Sequence, residues 1–424
     1  MPHTSFAYRA LLRTASALAP LAGLIDEKLA RTVALRRGVL ERLAAWGRAS
    51  RNTTRPLAWF HAPSVGEGLQ AKAVMQAFRA RHPDWQVAYT YFSPSAQAFA
   101  ASIGADVADC LPFDTPDAVA QTLDALRPSL LVFAKLDVWP ELATRAARAG
   151  IPVALVAATV RPGSGRLRRV ARALLAPGYQ ALSIAGAISA DDAELLARLG
   201  VPRDRIHIAG DPRCDSVLAR VAAVRDDEPL LALGSGAPTL VAGSTWPVDE
   251  DHLLAAFVTV LGQHPEARLI LVPHEPSAEA LERIQHAAER VGAPPARVLG
   301  AVPEAGPLVV ANRLGVLATL YGAGTLAYVG GGFGRAGLHS VLEPAAWGLP
   351  VMFGPHWEES RDAGRLIAGG GGVAAANAVA LADQWLKWLE DDWKRAAMGG
   401  RALEAVESER GASVRLAALL DELA

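Results

Sequence analysis

The stretch Leu57-Ala58-Trp59-Phe60-His61-Ala62-Pro63-Ser64-Val65-Gly66-Glu67-Gly68 passes from a short apolar run into a polar loop with two glycines. Residues 69–81 follow with apolar side chains at helical spacing. An apolar strand, a loop and a helix in this order form the unit of a parallel sheet, because parallel strands need a crossover between them. The stretch therefore predicts an α/β fold.

The same alternation recurs in two series. They are separated by residues 219–238, which lose periodicity and end in Gly234-Ser235-Gly236-Ala237-Pro238, as a linker does. The strands predicted in the first series are 57–61, 87–91, 130–133, 153–157 and 181–184. Those predicted in the second series are 240–243, 268–272, 308–310, 326–329 and 351–353.

This pattern predicts two doubly wound Rossmann-like domains that face a cleft, at 51–218 and 239–400. Residues 1–50 form a separate N-terminal segment in this scheme, and residues 401–424 form a C-terminal helix. Ligands of such folds bind beyond the carboxyl ends of the strands. We therefore expect functional residues in the loops that follow strands.

The composition is that of a globular protein, with 51% hydrophobic and 20% charged residues. The formal net charge of -1 gives no overall field that would recruit nucleic acid. Cys110 and Cys214 lack metal-ligand spacing. We therefore expect neither a disulfide framework nor a zinc site, and a reducing compartment.

The N-terminal segment is locally basic. Residues 1–55 carry ten Lys or Arg residues against the acids Asp26, Glu27 and Glu41. The apolar run at 15–25 is too short to span a bilayer, and no small-residue cleavage site clearly follows it. Such a strip fits a segment lying in the interface of an anionic membrane, and it fits equally a core-packed helix with a solvated basic face.

Glu67 is the candidate general base of the first loop. It lies at the opening of a helix, where a carboxylate can also serve only to balance the helix dipole. In the functional interpretation it faces the cleft and removes a proton from an attacking hydroxyl. Gly66 and Gly68 permit a tight turn or the close approach of a ligand.

The loop Gly243-Ser244-Thr245-Trp246-Pro247 follows the first strand of the second series and precedes a helix. Backbone amides, the two hydroxyls of Ser244 and Thr245 and a helix start make a candidate phosphate cradle, although an ordinary helix cap has the same pattern. The loop lacks a P-loop lysine, which disfavours a nucleoside triphosphatase.

The glycine-rich run from Gly330 to Gly337 follows the strand at 326–329. We expect it to expose backbone N–H groups and to lead into a helix whose positive end meets an anion. One face of that helix would carry His339, Ser340 and Glu343. The Glu343 carboxylate can accept hydrogen bonds from both hydroxyls of a ribose.

The same run contains Gly332-x-Gly334-x-x-Gly337, with Glu358 or Glu359 about twenty residues further on. This satisfies the dinucleotide fingerprint and keeps an NAD(P)-dependent oxidoreductase open as an alternative. The fingerprint normally opens its domain, whereas here four strands precede it. In the next loop, His356 can approach a phosphate or the donor sugar, or it can be a surface residue.

Taken together, these loops resemble the Kdo transferases, which move 3-deoxy-D-manno-octulosonic acid (Kdo) from CMP-Kdo to a lipid A precursor in lipopolysaccharide synthesis. The resembling motifs occur in the family's order across about residues 60–360. They are 61–68, Trp139-Pro140, Gly210-Asp211-Pro212-Arg213, Gly243-Ser244-Thr245-Trp246, Pro273-His274-Glu275, 330–334, 339–344 and Gly354-Pro355-His356.

The resemblance implies a GT-B fold and an inverting transfer to lipid IVA that needs no metal and no cofactor, at the cytoplasmic face of the inner membrane. It implies that Glu67 is the base and that the acceptor side includes His61, Ser64 and Gly66. The residues implied to hold the donor are Ser244, Thr245, Pro273, His274, Gly331, Gly332, Phe333, Gly334, His339, Ser340 and Glu343. The Kdo carboxylate calls for a cation, for which Lys135, Arg161 and Arg213 are the candidates.

Two segments depart from the family's pattern. The common Glu-Thr-Glu-x-Trp-Pro is Lys135-Leu136-Asp137-Val138-Trp139-Pro140 here, so a lysine replaces an acid. The common Pro-Arg-His-Pro-Glu is Pro273-His274-Glu275-Pro276, which loses an arginine. These departures affect the identity of the acceptor more than that of the donor, and a UDP-sugar enzyme of the same fold stays an alternative.

Overall fold

The computed structural model describes residues 3–22 and 26–424 and divides the chain into two compact units. Unit 1 comprises Met1–Ser216 together with Gly411–Ala424, and unit 2 comprises Val217–Arg410. Each unit contains one seven-stranded parallel sheet. The α/β fold predicted from the alternating pattern is therefore confirmed.

Three helices precede the first strand: α1 (Phe6–Ala22), α2 (Glu27–Arg36) and α3 (Val39–Ala49). Polar contacts of Tyr8 and Arg9 fasten α1 to the rest of unit 1. The Tyr8 hydroxyl donates to Asp114 over 2.8 Å, and Arg9 Nε pairs with the buried carboxylate of Glu141 over 2.8 Å. The helix therefore belongs to the packed unit and is not a loose extension.

The predicted basic apolar strip is divided in the structure. Phe6, Leu11 and Leu18 are exposed on α1, whereas Arg36 is buried with its guanidinium 4.1 Å from the centre of the Phe92 ring. Arg36 therefore serves packing and is not part of a solvated basic face. The end of the apolar run, at residues 23–25, lies outside the described residues.

The sheet of unit 1 has the order β3-β2-β1-β4-β5-β6-β7. Its strands are β1 (Leu57–His61), β2 (Gln86–Tyr91), β3 (Val107–Cys110), β4 (Leu130–Ala134), β5 (Val153–Ala158), β6 (Ile184–Ala187) and β7 (Ile206–Ile208). The helices are α4 (Val65–Arg81), α5 (Gln97–Ala101), α6 (Pro116–Leu126), α7 (Pro140–Arg148), α8 (Arg169–Gln180), α9 (Ala190–Leu199) and α10 (Pro212–Ala222). Every residue of β1, β4 and β5 is buried, because helices cover both faces of a parallel sheet.

Two strands of unit 1 differ from the sequence prediction. The strand predicted at 181–184 was misplaced, because Ala181 and Leu182 complete the last turn of α8 and β6 begins only at Ile184. Edge strand β3 was not predicted. Its residues alternate in exposure and include Asp109, so they do not form an apolar run.

The sheet of unit 2 has the order β10-β11-β9-β8-β12-β13-β14. Its strands are β8 (Thr239–Thr245), β9 (Arg268–Pro273), β10 (Arg297–Val298), β11 (Leu308–Val310), β12 (Leu326–Val329), β13 (Val351–Phe353) and β14 (Gly372–Ala374). The helices are α11 (Pro247–Leu261), α12 (Ala278–Val291), α13 (Leu317–Leu320), α14 (Leu342–Ala346), α15 (Arg361–Gly369), α16 (Ala378–Glu390) and α17 (Asp392–Glu407). The segment predicted as a linker contains the end of α10 and a 3-10 helix at Pro229–Gly234.

The last helix, α18 (Ala412–Asp421), returns to unit 1. Its buried residues Leu416, Ala417 and Leu420 belong to the hydrophobic core around β1 and β4. Among the helices of the described ranges, none is long and apolar enough to cross a membrane.

Candidate active site

The loops after β1 and β4 lie beside each other, because these two strands are neighbours where the strand order of unit 1 reverses. Ligands of doubly wound folds bind at such a point, beyond the carboxyl ends of the strands. The first loop leads into α4 and the second into α7. This edge is the candidate site of unit 1.

Glu67 lies in the first turn of α4, and its side chain is 18% exposed. Lys135 Nζ donates to Glu67 Oε1 over 2.8 Å, and the Ser64 hydroxyl donates to Oε2. Burial raises the pKa of the Glu67 carboxyl, but the hydrogen bonds from Lys135 and Ser64 outweigh burial and bring the pKa below its ordinary value. Glu67 is therefore ionised at neutral pH and can accept a proton.

The two glycines of this loop do not form the predicted tight turn, because both lie inside α4. A Cβ on Gly68 would lie 2.8 Å from the Tyr89 hydroxyl oxygen, so this glycine lets α4 pack closely on β2. Gly66 is exposed and has open space around it apart from Ser64. Only Gly66 therefore leaves room for a ligand.

His61 lies behind the site and is fully buried, so the structure gives no direct support to its predicted place on the acceptor side. Its Nε2 lies 3.0 Å from Asp137 Oδ2, and its Nδ1 lies 3.0 Å from the Thr90 hydroxyl. Trp139 Nε1 donates to the same Asp137 oxygen over 3.0 Å. Asp137, which we did not single out as a site residue, is thus oriented by two rings.

The other two candidate cations of unit 1 differ in their surroundings. Arg213 Nε donates to Asp211 Oδ2 over 2.9 Å, and Asp211 is buried, so this cation already has a counter-ion. Arg161 is exposed in the loop after β5. Lys135 pairs with Glu67, with 2.8 Å between its Nζ and Glu67 Oε1.

In unit 2 the loops after β8 and β12 meet in the same way, because these strands are neighbours at the corresponding reversal. Ser244 has a φ of 53°, in the left-handed region that non-glycine residues rarely adopt. A Cβ on Gly330 would clash with the Ser244 carbonyl oxygen. Glycine is therefore required where the two loops cross.

The buried carboxylate of Asp249 joins these loops. Its Oδ2 accepts hydrogen bonds from the backbone N–H groups of Trp246 and Gly331, each over 2.9 Å, and its Oδ1 accepts from the Tyr328 hydroxyl over 2.6 Å. The Gly331 amide, which we expected to face a ligand, is thus turned inward. Sequence reasoning missed Asp249, because an acid in the first turn of a helix is common.

Ser244 and Thr245 do not form the predicted pair of phosphate-binding hydroxyls. Thr245 is buried, and its hydroxyl donates to Glu250 over 3.2 Å. Glu250 is paired with Arg283 over 2.9 Å. Ser244 is partly exposed, so only its hydroxyl stays a candidate for ligand contact.

Three aromatic rings come together at the same edge. Trp246 stacks on His274 with ring centres 4.8 Å apart, and His274 lies 4.3 Å from the ring of His339. Trp246 Nε1 donates to His339 Nε2 over 3.1 Å, which requires His339 to be uncharged at that nitrogen. Burial, followed by the nearby His274, lowers the pKa of His339 and favours this neutral form. His274 is placed here because Pro273 ends β9 beside β8.

The glycine run is a loop that does not lead directly into a helix, contrary to the prediction. Helix α14 begins at Leu342 and has five residues, so His339 and Ser340 precede it and do not share a helix face with Glu343. A helix this short has no substantial dipole with which to bind an anion.

The dinucleotide fingerprint therefore lacks its structural context, since Gly337 does not open a helix and β12 is not the first strand of its sheet. Phe333 packs on His252 with ring centres 4.1 Å apart. A Cβ on Gly332 would lie 2.7 Å from the Gly354 nitrogen, whereas one on Gly334 would meet little. His356 is exposed, and its backbone N–H donates to the Gly332 carbonyl over 2.8 Å.

Glu343 is held by Arg220 of α10 in an ion pair, and its side chain is 23% exposed. The partner was not predicted, because 123 residues separate the two. Within residues 3–22 and 26–424, no three His, Cys, Asp or Glu side chains are grouped so that they could hold a metal ion.

Comparison with known proteins finds similarity to one family of transferases. A model described as 3-Deoxy-D-manno-octulosonic-acid transferase (kdotransferase) matches residues 37–216. The 3-deoxy-D-manno-octulosonic acid transferase of Bordetella pertussis is 29% identical over 397 residues, which cover 89% of this chain and 91% of the relative. The enzyme of the same name from Haemophilus influenzae is 25% identical over 400 residues, or 91% of each chain.

Solved structures share the fold. A glycosyltransferase from Rickettsia africae has a TM-score of 0.58 at 12% identity and covers 87% of this chain and 98% of its own. UDP-GlcNAc 2-epimerase from Neisseria meningitidis has a TM-score of 0.59 at 11% identity and covers 84% and 99%. The two sheets thus have the GT-B architecture, and over most of its length the chain is similar to 3-deoxy-D-manno-octulosonic acid transferases, which are glycosyltransferases.

Proposed function

We propose that the chain transfers Kdo from CMP-Kdo to a lipid A precursor, lipid IVA, with inversion at the anomeric carbon and without a metal ion or cofactor. The observation that carries the proposal is the ionised, partly exposed carboxylate of Glu67 at the strand-order reversal of unit 1. The matching family model and the names of the similar proteins supply the sugar.

In the proposed reaction, Glu67 takes the proton of an acceptor hydroxyl. The hydroxyl oxygen forms a bond to the anomeric carbon of Kdo, and the bond from that carbon to the CMP phosphate oxygen breaks. The electron pair stays on the phosphate, so the products are the glycosidic bond, CMP and a proton on Glu67. Direct attack opposite the leaving phosphate inverts the anomeric carbon.

Unit 2 holds the donor in this proposal. The rings of Trp246, His274 and His339 form a platform beside the partly exposed Ser244. Glu343 can still accept a hydrogen bond from a ribose hydroxyl while it is paired with Arg220, because a carboxylate has more acceptor sites than one ion pair occupies. Ser340 and His356, both exposed, contact the phosphate or the sugar.

We further propose a peripheral position at the cytoplasmic face of the inner membrane, where the lipid acceptor lies. The exposed Phe6, Leu11 and Leu18 of α1 support this, since apolar side chains on a surface helix enter the acyl boundary of a bilayer.

The test is transfer by the purified protein, supplied with lipid IVA and a CMP-Kdo generating system. We expect CMP release together with a lipid product heavier by one or more Kdo residues, and nuclear magnetic resonance gives the anomeric configuration of the new bond. Replacing CMP-Kdo by UDP-sugars tests the alternative donor. Absence of both sugar transfer and CMP release rejects the proposal.

A further inference from the structure

Lys135 occupies a strained backbone position directly after β4. Its φ is 62°, in the left-handed region that residues other than glycine rarely adopt. Its backbone N–H donates to the Val156 carbonyl over 2.8 Å, which fixes the residue against β5. Glycine would fit this backbone more easily, which suggests that the lysine side chain has a role of its own.

That contact is Glu67. The ammonium of Lys135 donates to one carboxylate oxygen over 2.8 Å, while the Ser64 hydroxyl donates to the other. The Tyr89 hydroxyl from β2 is a further titratable group that interacts with this carboxylate, and it is buried and has no hydrogen-bond partner among the described residues. Burial, together with the charge of Glu67, raises the pKa of Tyr89, so it stays neutral, and Lys135 is the cation that pairs with Glu67.

We infer that Lys135 is a positioning residue that holds the base Glu67 ionised and fixes the direction of its carboxylate. This inference rests on the function proposed above. When Glu67 accepts the hydroxyl proton it loses its charge, and Lys135 loses its counter-ion. The lysine therefore keeps Glu67 ionised at lower pH. The same interaction lowers the affinity of the carboxylate for a proton and makes Glu67 a weaker base.

The pairing depends on a lysine that stands where the common Kdo transferase motif has an acid. Where the common motif has an acid at this position, a second carboxylate beside Glu67 would raise the pH at which the base ionises. Lysine does the opposite. The acidic limb of the rate profile should thus lie at lower pH in this chain than in the variant that restores the acid.

The experiment compares wild type with Lys135→Met, Lys135→Arg and Lys135→Glu. Activity is measured as CMP release between about pH 3.5 and pH 9, because the wild-type acidic limb is expected below the ordinary pKa of a glutamate. We expect the acidic limb to move up by roughly one pH unit in Lys135→Met, further in Lys135→Glu, and little in Lys135→Arg. Lys135→Gly removes the side chain while relieving the backbone, so it folds at least as well and should shift like Lys135→Met.

A second measurement needs no activity. Carboxyl carbon resonances of the glutamates, with Glu67→Gln as the assignment control, report directly when Glu67 ionises. If the wild-type protein transfers no sugar, the proposed function fails while this titration still tests the pairing. Equal Glu67 titrations in wild type and Lys135→Met overturn the inference, and so does a shifted titration with an unchanged rate profile.

Discussion

At the scale of single residues, the two carboxylates Glu67 and Asp249 occupy corresponding places in the two units but have different surroundings. Each lies in the first turn of the helix that follows the first strand of its sheet. Glu67 is partly exposed and paired with one ammonium, whereas Asp249 is fully buried and accepts three hydrogen bonds from neutral donors. The first arrangement suits proton transfer, and the second suits holding loops together.

The role of Glu67 is tested by Glu67→Gln. The amide keeps the shape of the side chain but cannot take a proton, so we expect the transfer rate to fall at least about 100-fold while CMP binds within about twofold of wild type. Glu194→Gln is the matched control, because Glu194 forms an exposed ion pair with Arg203. Turnover retained by Glu67→Gln would remove this residue from the base role.

The role of Asp249 is tested by Asp249→Ala. The change leaves the Tyr328 hydroxyl and the amides of Trp246 and Gly331 buried without their acceptor, so we expect a loss of about 3–5 kcal/mol in the free energy of unfolding. Urea titration measures it. Asp251→Ala on the same helix, whose side chain is exposed and paired with Arg290, should cost less than about 1 kcal/mol. Equal losses in the two variants would contradict our account.

At the scale of elements, α18 completes a unit from which it is far removed in sequence. Asp215 accepts hydrogen bonds from the backbone N–H groups of Gly411 and Ser413, each over 2.6 Å, and so fixes the start of the helix. A Cβ on Gly186 would clash with Leu416, so the glycine in β6 makes room for this helix. The C-terminal residues therefore stabilise the N-terminal sheet.

Leu416→Ala measures that contribution. Leu416 is fully buried, and its truncation should lower the free energy of unfolding by about 2–5 kcal/mol. Hydrogen exchange should increase in the amides of β6 before those of β8. Val414→Ala on the same helix is the control, since Val414 is 54% exposed and its loss should cost at most about 0.5 kcal/mol. If hydrogen exchange increased only in the amides of β8, it would contradict the packing of α18 on unit 1.

The elements that could be predicted from sequence are the buried ones. Strands β1, β4 and β12 are apolar runs, because both of their faces are covered, and the prediction located each within one residue. Edge strands such as β10 and β14 have two or three residues and expose part of them, so they leave no run to recognise. Their existence depends on pairing with a neighbouring strand, which is a tertiary property.

Site residues could be predicted only where a loop carries its own signal. Glu67 is recognisable because a strand and a polar loop precede it and a glycine stands on either side of it. Its pairing with Lys135 is not, since it arises from the adjacency of β1 and β4 across 68 residues of sequence. The start of α14 was also predicted wrongly: residues 338–341 have helical spacing, but the His339 N–H donates to the Gly330 carbonyl and the helix begins only at Leu342.

At the scale of the whole molecule, the two units have the same plan and differ in what their strand-order reversals present. Unit 1 presents charged side chains, with Glu67 and Lys135 paired at the edge. Unit 2 presents a platform of rings formed by Trp246, His274 and His339. Such a division fits a reaction in which one unit activates a hydroxyl and the other holds a nucleotide.

At the same scale, the proposed attachment to a lipid surface is assigned to α1. Phe6 is 86% exposed, and Leu11 and Leu18 are each more than half exposed, although the helix as a whole is fastened by Tyr8 and Arg9. Because the helix is already ordered, membrane binding does not require the further loss of backbone entropy that folding it would cost. Entry of its apolar side chains into a bilayer should therefore be favourable.

We therefore expect the protein to bind vesicles that contain phosphatidylglycerol, and the triple variant Phe6→Ser, Leu11→Ser, Leu18→Ser to bind about 100-fold more weakly, as the loss of about 3 kcal/mol of apolar contact implies. Co-sedimentation measures the affinity. The control is Val302→Ser with Leu314→Ser, which removes comparably exposed apolar side chains from unit 2. If both variants lost binding equally, or if neutral vesicles bound the wild type as well, the contact would not be specific to α1 and its basic surroundings.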